Sequence, residues 1–329
     1  MGRGQGDCRI LEKRGLEVED MKRNVILALI MICLLSLSAC GGGKEDTQRP
    51  EGQDADKEVI SVSYPENYVK RDNTGLFGNE TYSRSDILTI TVTDSLDGMS
   101  DEAWDVSENG DGSVMAWVED GTNFYIGGEG GVTAKDCESL FANFANVTEI
   151  VFNDCFYTEP AVDFSYMFGE NYYLTELDLS SLNTANAETM ERMFMGCARL
   201  EKVNVTSFDT SKVRDMSQMF DQCRCLKEVD LTSFDTSSVE NMYYMFDHCM
   251  EIESLDLSSF QTSNVTNFEG MFKACWVIQS LDLSNFDLSK ATTCKDMFLC
   301  CELLTDVGCE LNIPSGIDTT DMFDRSGME

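Results

Sequence analysis

Apolar residues recur with a period of 26 residues along the second half of the chain. Leu140-Phe141 looks like a degraded first copy of this pattern, 27 residues before Met167. A period of this length is typical of a solenoid, because each unit can bury its apolar side only against its neighbours. Met-Phe pairs begin at Met167, Met193, Met219, Met245, Met271, Met297 and, after 25 residues, Met322.

Two spacings alternate within one unit. Leu200, Val203 and Val205 follow an L-x-x-L-x-L pattern, whose period of two predicts one short strand per unit. The segment from Thr236 to Met245 has apolar or small residues at every third position. This spacing predicts 3₁₀ turns or a tight helical stretch returning along the outside.

Upstream of the repeats, strand patterns appear at residues 59–64, 87–93, 113–118 and 123–126. Asp120-Gly121 lies between the last two and is a strong signal for a hairpin turn. We therefore predict a β-rich N-terminal region over 59–135, which is either a small β element or a cap over the first open edge of the repeat stack.

The repeated run M-F-x-x-C-x-x-L-x-x-L-D-L-S-S-F-D-T-S resembles the BspA-like leucine-rich-repeat surface proteins of bacteria over residues ~140–325. The segment Trp104–Val132 is similar to the one that precedes the repeats in that family. The predicted fold class is α/β repeat, a leucine-rich-repeat solenoid of 26-residue units over 136–329. Phenylalanine takes the place of the usual Asn or Cys of leucine-rich repeats at Phe208, Phe234, Phe260 and Phe286.

The first forty residues carry a targeting pattern. Met21 opens a basic start and an apolar stretch, so residues 1–20 are predicted to be an extra or untranslated extension. Leu37-Ser38-Ala39-Cys40 resembles the lipobox of bacterial lipoproteins, which implies a signal peptide at 21–39 and acylation of Cys40. Residues 40–58 have the composition of a flexible tether. A buried core helix over the apolar stretch fits the basic start and the glycine run badly.

The net charge of -35 limits the partners. Such a surface repels nucleic acid and anionic lipid headgroups. We expect an extracellular or cell-surface protein partner, basic if it is charged, and contact with the membrane only through the lipid anchor.

Histidine and cysteine offer little chemistry in the sequence. His248 is the only histidine and is expected to be a solvated turn residue, so no catalytic residue and no metal site are predicted. One cysteine per unit forms a predicted thiol ladder, for which buried free thiols are favoured over disulfides and over metal ligation. This ladder consists of Cys197, Cys223, Cys249, Cys275 and Cys301.

The outward strand positions form two polar rows that are the candidate binding face. The Asp row comprises Asp178, Asn204, Asp230, Asp256 and Asp282, and the hydroxyl row comprises Ser180, Thr206, Thr232, Ser258 and Ser284. They are either ordinary solvated residues or a flat acidic face. No resident cofactor is predicted, and Ca²⁺ between the stacked carboxylates is the alternative.

The resemblance implies a non-enzymatic, lipid-anchored surface protein that binds protein partners as an adhesin. Two other classes stay open. An envelope-structural or glycan-binding role is one, although the outward strand stripe lacks aromatic residues for sugar stacking. An enzyme is the other, and residues 59–135 are the only non-repeating region that could hold its site.

Overall fold

A computed structural model describes residues 64–328. The predicted N-terminal extension, signal peptide, tether and Cys40 lie outside the described residues, as does nearly all of the strand expected at 59–64. Within the part that is described, no helix is long and apolar enough to cross a membrane.

Ten short strands and one 3₁₀ helix make up the regular structure of residues 64–328. A 3₁₀ helix, Arg84–Asp86, precedes the first strand. The strands are β1 (Thr89–Thr93), β2 (Trp104–Asp105), β3 (Met115–Glu119), β4 (Asn123–Gly127), β5 (Val132–Thr133), β6 (Glu149–Val151), β7 (Phe156–Tyr157), β8 (Glu176–Asp178), β9 (Lys202–Asn204) and β10 (Glu228–Val229). They form a five-stranded sheet in the order β2-β3-β4-β1-β6, a three-stranded parallel sheet β10-β9-β8, and a parallel pair β5-β7.

The predicted strands at 87–93, 113–118 and 123–126 are confirmed as β1, β3 and β4. The hairpin is confirmed too: β3 and β4 pair antiparallel, with φ of 51° at Asp120 and 73° at Gly121. Two positive φ angles match the right-handed twist of the strands that the turn connects. Parallel pairing of β1 with β6 joins this region to the start of the repeats. The domain boundary at 135/136 stays a prediction.

One hydrophobic core runs through the described residues, and the predicted inward positions Leu200, Val203 and Val205 are buried in it. Its centre is a stack of phenylalanines from the Met-Phe pairs. Phe194 and Phe220 lie 5.3 Å apart between ring centroids, and Phe220 and Phe246 lie 5.4 Å apart, with rings nearly parallel. Each ring therefore covers the ring of the preceding unit.

A continuous series of backbone hydrogen bonds joins adjacent units around each Met-Phe pair. Parallel bridges link Thr189 to Asp215, Asp215 to Asn241, and Asn241 to Asn267. After the bridge residue of each unit, every second backbone N–H group donates to a carbonyl of the next unit. Phe194 N, for example, donates to Met219 O at 2.9 Å. The N–H groups between them close turns inside their own unit.

The predicted fold class, an α/β leucine-rich-repeat solenoid, is wrong. No α-helix occurs in residues 64–328, and the strands form three separate small sheets rather than one solenoid sheet. A helix cannot form in the segment around each Met-Phe pair, because every second N–H group there donates to the next unit and not to a carbonyl four residues earlier. Arg192 and Gly196 also have φ of 58° and 75°, which interrupts helical geometry. The expected strand is present at β8, β9 and β10 but is not formed at residues 254–257.

Candidate functional site

The predicted binding face is exposed to solvent. Every member of the Asp row and the hydroxyl row is exposed except Asn204, which is half-buried. Asp-row side chains accept hydrogen bonds from the hydroxyl-row residue two positions later in the chain. Asp230 Oδ1 accepts the backbone N–H of Thr232 at 3.0 Å and its hydroxyl at 2.6 Å. Asp256 and Asp282 accept the N–H of Ser258 and Ser284 in the same way, both at 3.0 Å.

These hydrogen bonds explain the charge state of the face. Bonds from the Thr232 side chain and backbone lower the pKa of Asp230, and the neighbouring charge of Asp256 opposes this effect. Asn204 relieves the repulsion within the row, because its Nδ2 donates to Asp178 Oδ1 at 2.9 Å. The face is therefore acidic, ionised at neutral pH, and fixed in shape by turns in the backbone.

The structure does not bring three carboxylates of the Asp row close enough together to share a cation. Within residues 64–328, the one set of three His, Cys, Asp or Glu side chains with that geometry lies elsewhere, at Asp221, Asp247 and His248.

The cysteine ladder is buried among the phenylalanines. All five of its members are buried free thiols. Each Sγ donates to a phenylalanine carbonyl 29 residues earlier: for example, Cys249 Sγ lies 3.3 Å from Phe220 O. Burial raises the pKa of the Cys197 and Cys301 thiols to about 12. These thiols are therefore protonated donors inside the core.

A second ladder, of threonines, was not recognised from the sequence. Thr236, the first position of the segment with a period of three, is fully buried. Its Oγ1 donates to Gln261 O at 3.0 Å and accepts from Gln261 N at 2.7 Å, so one hydroxyl serves both backbone groups of a residue in the next unit. The same pair of bonds recurs at Thr184, Thr210 and Thr262. The signal was the threonine in each F-D-T-S run or its variant.

The Asp221, Asp247 and His248 set was also missed. His248 is a turn residue as predicted, with φ of 57°, but its side chain is only partly exposed and its Nδ1 lies 2.7 Å from Asp247 Oδ1. Burial raises the pKa of Asp221 to about 6. The available signal was that Asp221 and Asp247 occupy the same position of successive units, two residues before the ladder cysteine.

These features define a class of protein: stacked repeat units of 26 residues, joined by backbone ladders and filled by aligned phenylalanine, threonine and cysteine side chains. The chain belongs to the family described as "Mycoplasma protein of unknown function, DUF285", which matches residues 135–229 and 223–327, together more than half of the chain. Neither a curated protein nor a solved structure matches it.

Proposed function

We propose that this protein is a non-enzymatic surface protein of the BspA-like kind, anchored by a lipid on Cys40, that binds extracellular protein partners as an adhesin does. The family match supports the repeat class on which this proposal rests. An extracytoplasmic location belongs to the proposal, because it depends on the targeting pattern before residue 40.

The observation that carries the proposal is the Asp row and its turns. Asp230, Asp256 and Asp282 are exposed charges whose positions are held by bonds to the following residues. A rigid row loses little conformational entropy when a partner binds across several units. Its shared negative field also steers a basic partner toward the face.

The test uses Asp-to-Asn variants, because asparagine keeps the turn and removes the charge. Asn204 already does this in its own unit, where its Oδ1 accepts the N–H of Thr206 at 3.3 Å. Lysine at Asp230 and Asp256 would remove both the charge and the turn, so the Asp230→Asn, Asp256→Asn double variant is the cleaner change.

The matched control is Asp209→Asn with Asp287→Asn. Both residues are exposed carboxylates that accept the N–H of the residue two positions later, Ser211 and Ser289, but they lie outside the Asp row. The control therefore changes the same number of charges in the same kind of turn.

The experiment captures cell-surface proteins on the immobilised chain from residue 40 onward and then measures binding of the captured partner against salt concentration. We expect the Asp row variant to bind more weakly and with a shallower salt dependence, and the control to bind like the parent. Equal loss of binding in both variants would indicate that binding depends on the net charge of the protein and not on the Asp row. No loss of binding in either variant would show that the Asp row is not the binding face. Capture of glycans alone would favour the glycan-binding class.

A further inference from the structure

Two successive units place two buried carboxylates and one imidazole against each other. Asp221 belongs to one unit, and Asp247 and His248 belong to the next. One donor atom from each of the three side chains lies within 4.8 Å of the donor atoms of the other two. Two atoms that each lie about 2.0–2.2 Å from one ion are at most about 4.4 Å apart, so small shifts of these side chains bring all three onto one metal ion.

Three polar atoms of this set make no hydrogen bond to any described residue: Asp221 Oδ1, Asp247 Oδ1 and His248 Nδ1. Asp247 Oδ1 and His248 Nδ1 are 2.7 Å apart, and neither atom has a hydrogen-bond partner among the described residues. Asp221 and Asp247 are only 4% and 7% exposed. Burying a carboxylate without a partner costs free energy. A positive charge between these unpartnered oxygen atoms would offset that cost.

The neighbouring side chains do not supply that charge by contact. Gln218 Nε2 donates to Asp221 Oδ2 at 2.9 Å, but Asp221 Oδ1 has no hydrogen-bond partner among the described residues. Arg192 lowers the pKa of Asp221 through its charge, but its Nε donates to Gln218 Oε1. Lys273 feels the charge of Asp247, yet its Nζ bonds to the Tyr244 hydroxyl at 3.3 Å.

We propose that Asp221, Asp247 and His248 bind one divalent transition-metal ion, with Zn²⁺ the best fit to the donor set. Two carboxylate oxygens and one imidazole nitrogen suit Zn²⁺, whereas Ca²⁺ takes six to eight oxygens. Zn²⁺ sites with three protein ligands take water as the fourth. The ion joins two successive units and neutralises the buried carboxylates of both.

The chain itself offers a matched substitution for the histidine. Gln222 occupies the position of His248 in the preceding unit and has nearly the same backbone conformation, with φ of 61° against 57°. His248→Gln therefore leaves the turn unstrained and removes the nitrogen ligand. Asp221→Asn tests a carboxylate at constant shape, and Asp287→Asn, at an exposed carboxylate outside the Asp row, is the charge-matched control.

The experiment is calorimetric titration of the chelator-treated full chain with Zn²⁺, Mn²⁺ and Ca²⁺, after alkylation of the exposed Cys309. We expect one Zn²⁺ per chain, at least tenfold weaker Ca²⁺ binding, and loss of the Zn²⁺ site in His248→Gln and Asp221→Asn but not in Asp287→Asn. Co²⁺ should give a visible absorption spectrum that His248→Gln abolishes. Zn²⁺ at ~100 times its Kd should raise Tm by roughly 5–10 °C.

Zn²⁺ binding that His248→Gln leaves unchanged would overturn the proposal. So would the absence of Zn²⁺ binding to a chain whose circular dichroism is native. Equal affinity for Ca²⁺ and Zn²⁺ would also overturn it, since that result describes oxygen ligands without the imidazole.

Discussion

Replacing Thr236 with valine tests whether the threonine ladder holds the units together by hydrogen bonds or by apolar burial. The two side chains have nearly the same shape, and Thr236 is fully buried. Valine removes both bonds to the backbone of Gln261 and leaves that N–H and C=O without their partner. Each abandoned buried group costs about 1–3 kcal/mol.

The expected cost is at the low end of that range, because the side chain of Gln261 is exposed and water can reach part of its backbone. We expect Thr236→Val to lower the free energy of unfolding by roughly 2 kcal/mol in total. Thr236→Ser keeps both bonds and loses one buried methyl, which costs about 1 kcal/mol. The predicted order of stability is therefore threonine, serine, valine.

Urea unfolding of the three proteins measures this order, and hydrogen exchange at the Gln261 amide reports the local effect. Exchange at this amide should be faster in Thr236→Val and nearly unchanged in Thr236→Ser. A valine variant at least as stable as the serine variant would refute the reasoning, because apolar burial would then outweigh the paired hydrogen bonds.

Three further predictions follow from other parts of the chain. The ladder cysteines should resist alkylation at pH 8 in the native state, since burial raises the pKa of Cys249 well above its usual value, and should all react after denaturation without reductant; reaction only after reduction would indicate disulfides. Cys40→Ser should move the protein from the membrane fraction to the soluble fraction, and unchanged membrane retention would contradict the lipobox assignment. Bonds from Ser211 lower the pKa of Asp209, so this carboxylate stabilises the fold above pH ~4 and its contribution is lost as the pH falls through its folded pKa. Asp209→Asn should therefore show a smaller loss of stability than the parent between pH 4 and 2, as measured by urea midpoints.

The local features of the fold could be predicted because they depend on residues close in sequence. The hairpin at Asp120-Gly121 needs only two residues that accept positive φ between two alternating strands. The inward positions Val203 and Val205 follow from a period of two, and the burial of Leu200 and of the cysteine ladder follows from their places in the 26-residue register.

The helical part of the predicted fold class failed for a physical reason. A period of three places apolar side chains on one face, but it does not say where the backbone N–H groups bond. Met190 N and Arg192 N donate to Asp215 O and Ser217 O of the next unit, which a helix would not allow. That choice depends on a neighbour 25 residues away and on positive φ at Arg192 and Gly196.

The candidate sites divide in the same way. The exposure of the Asp row follows from strand alternation, whereas its turns to the hydroxyl row depend on how the backbone bends after each short strand. Asp221 and Asp247 can be placed in one column from the 26-residue period alone. Only the tertiary structure decides that this column is buried and that His248 turns its Nδ1 toward it, because burial and side-chain direction there are set by the packing of one unit on the next.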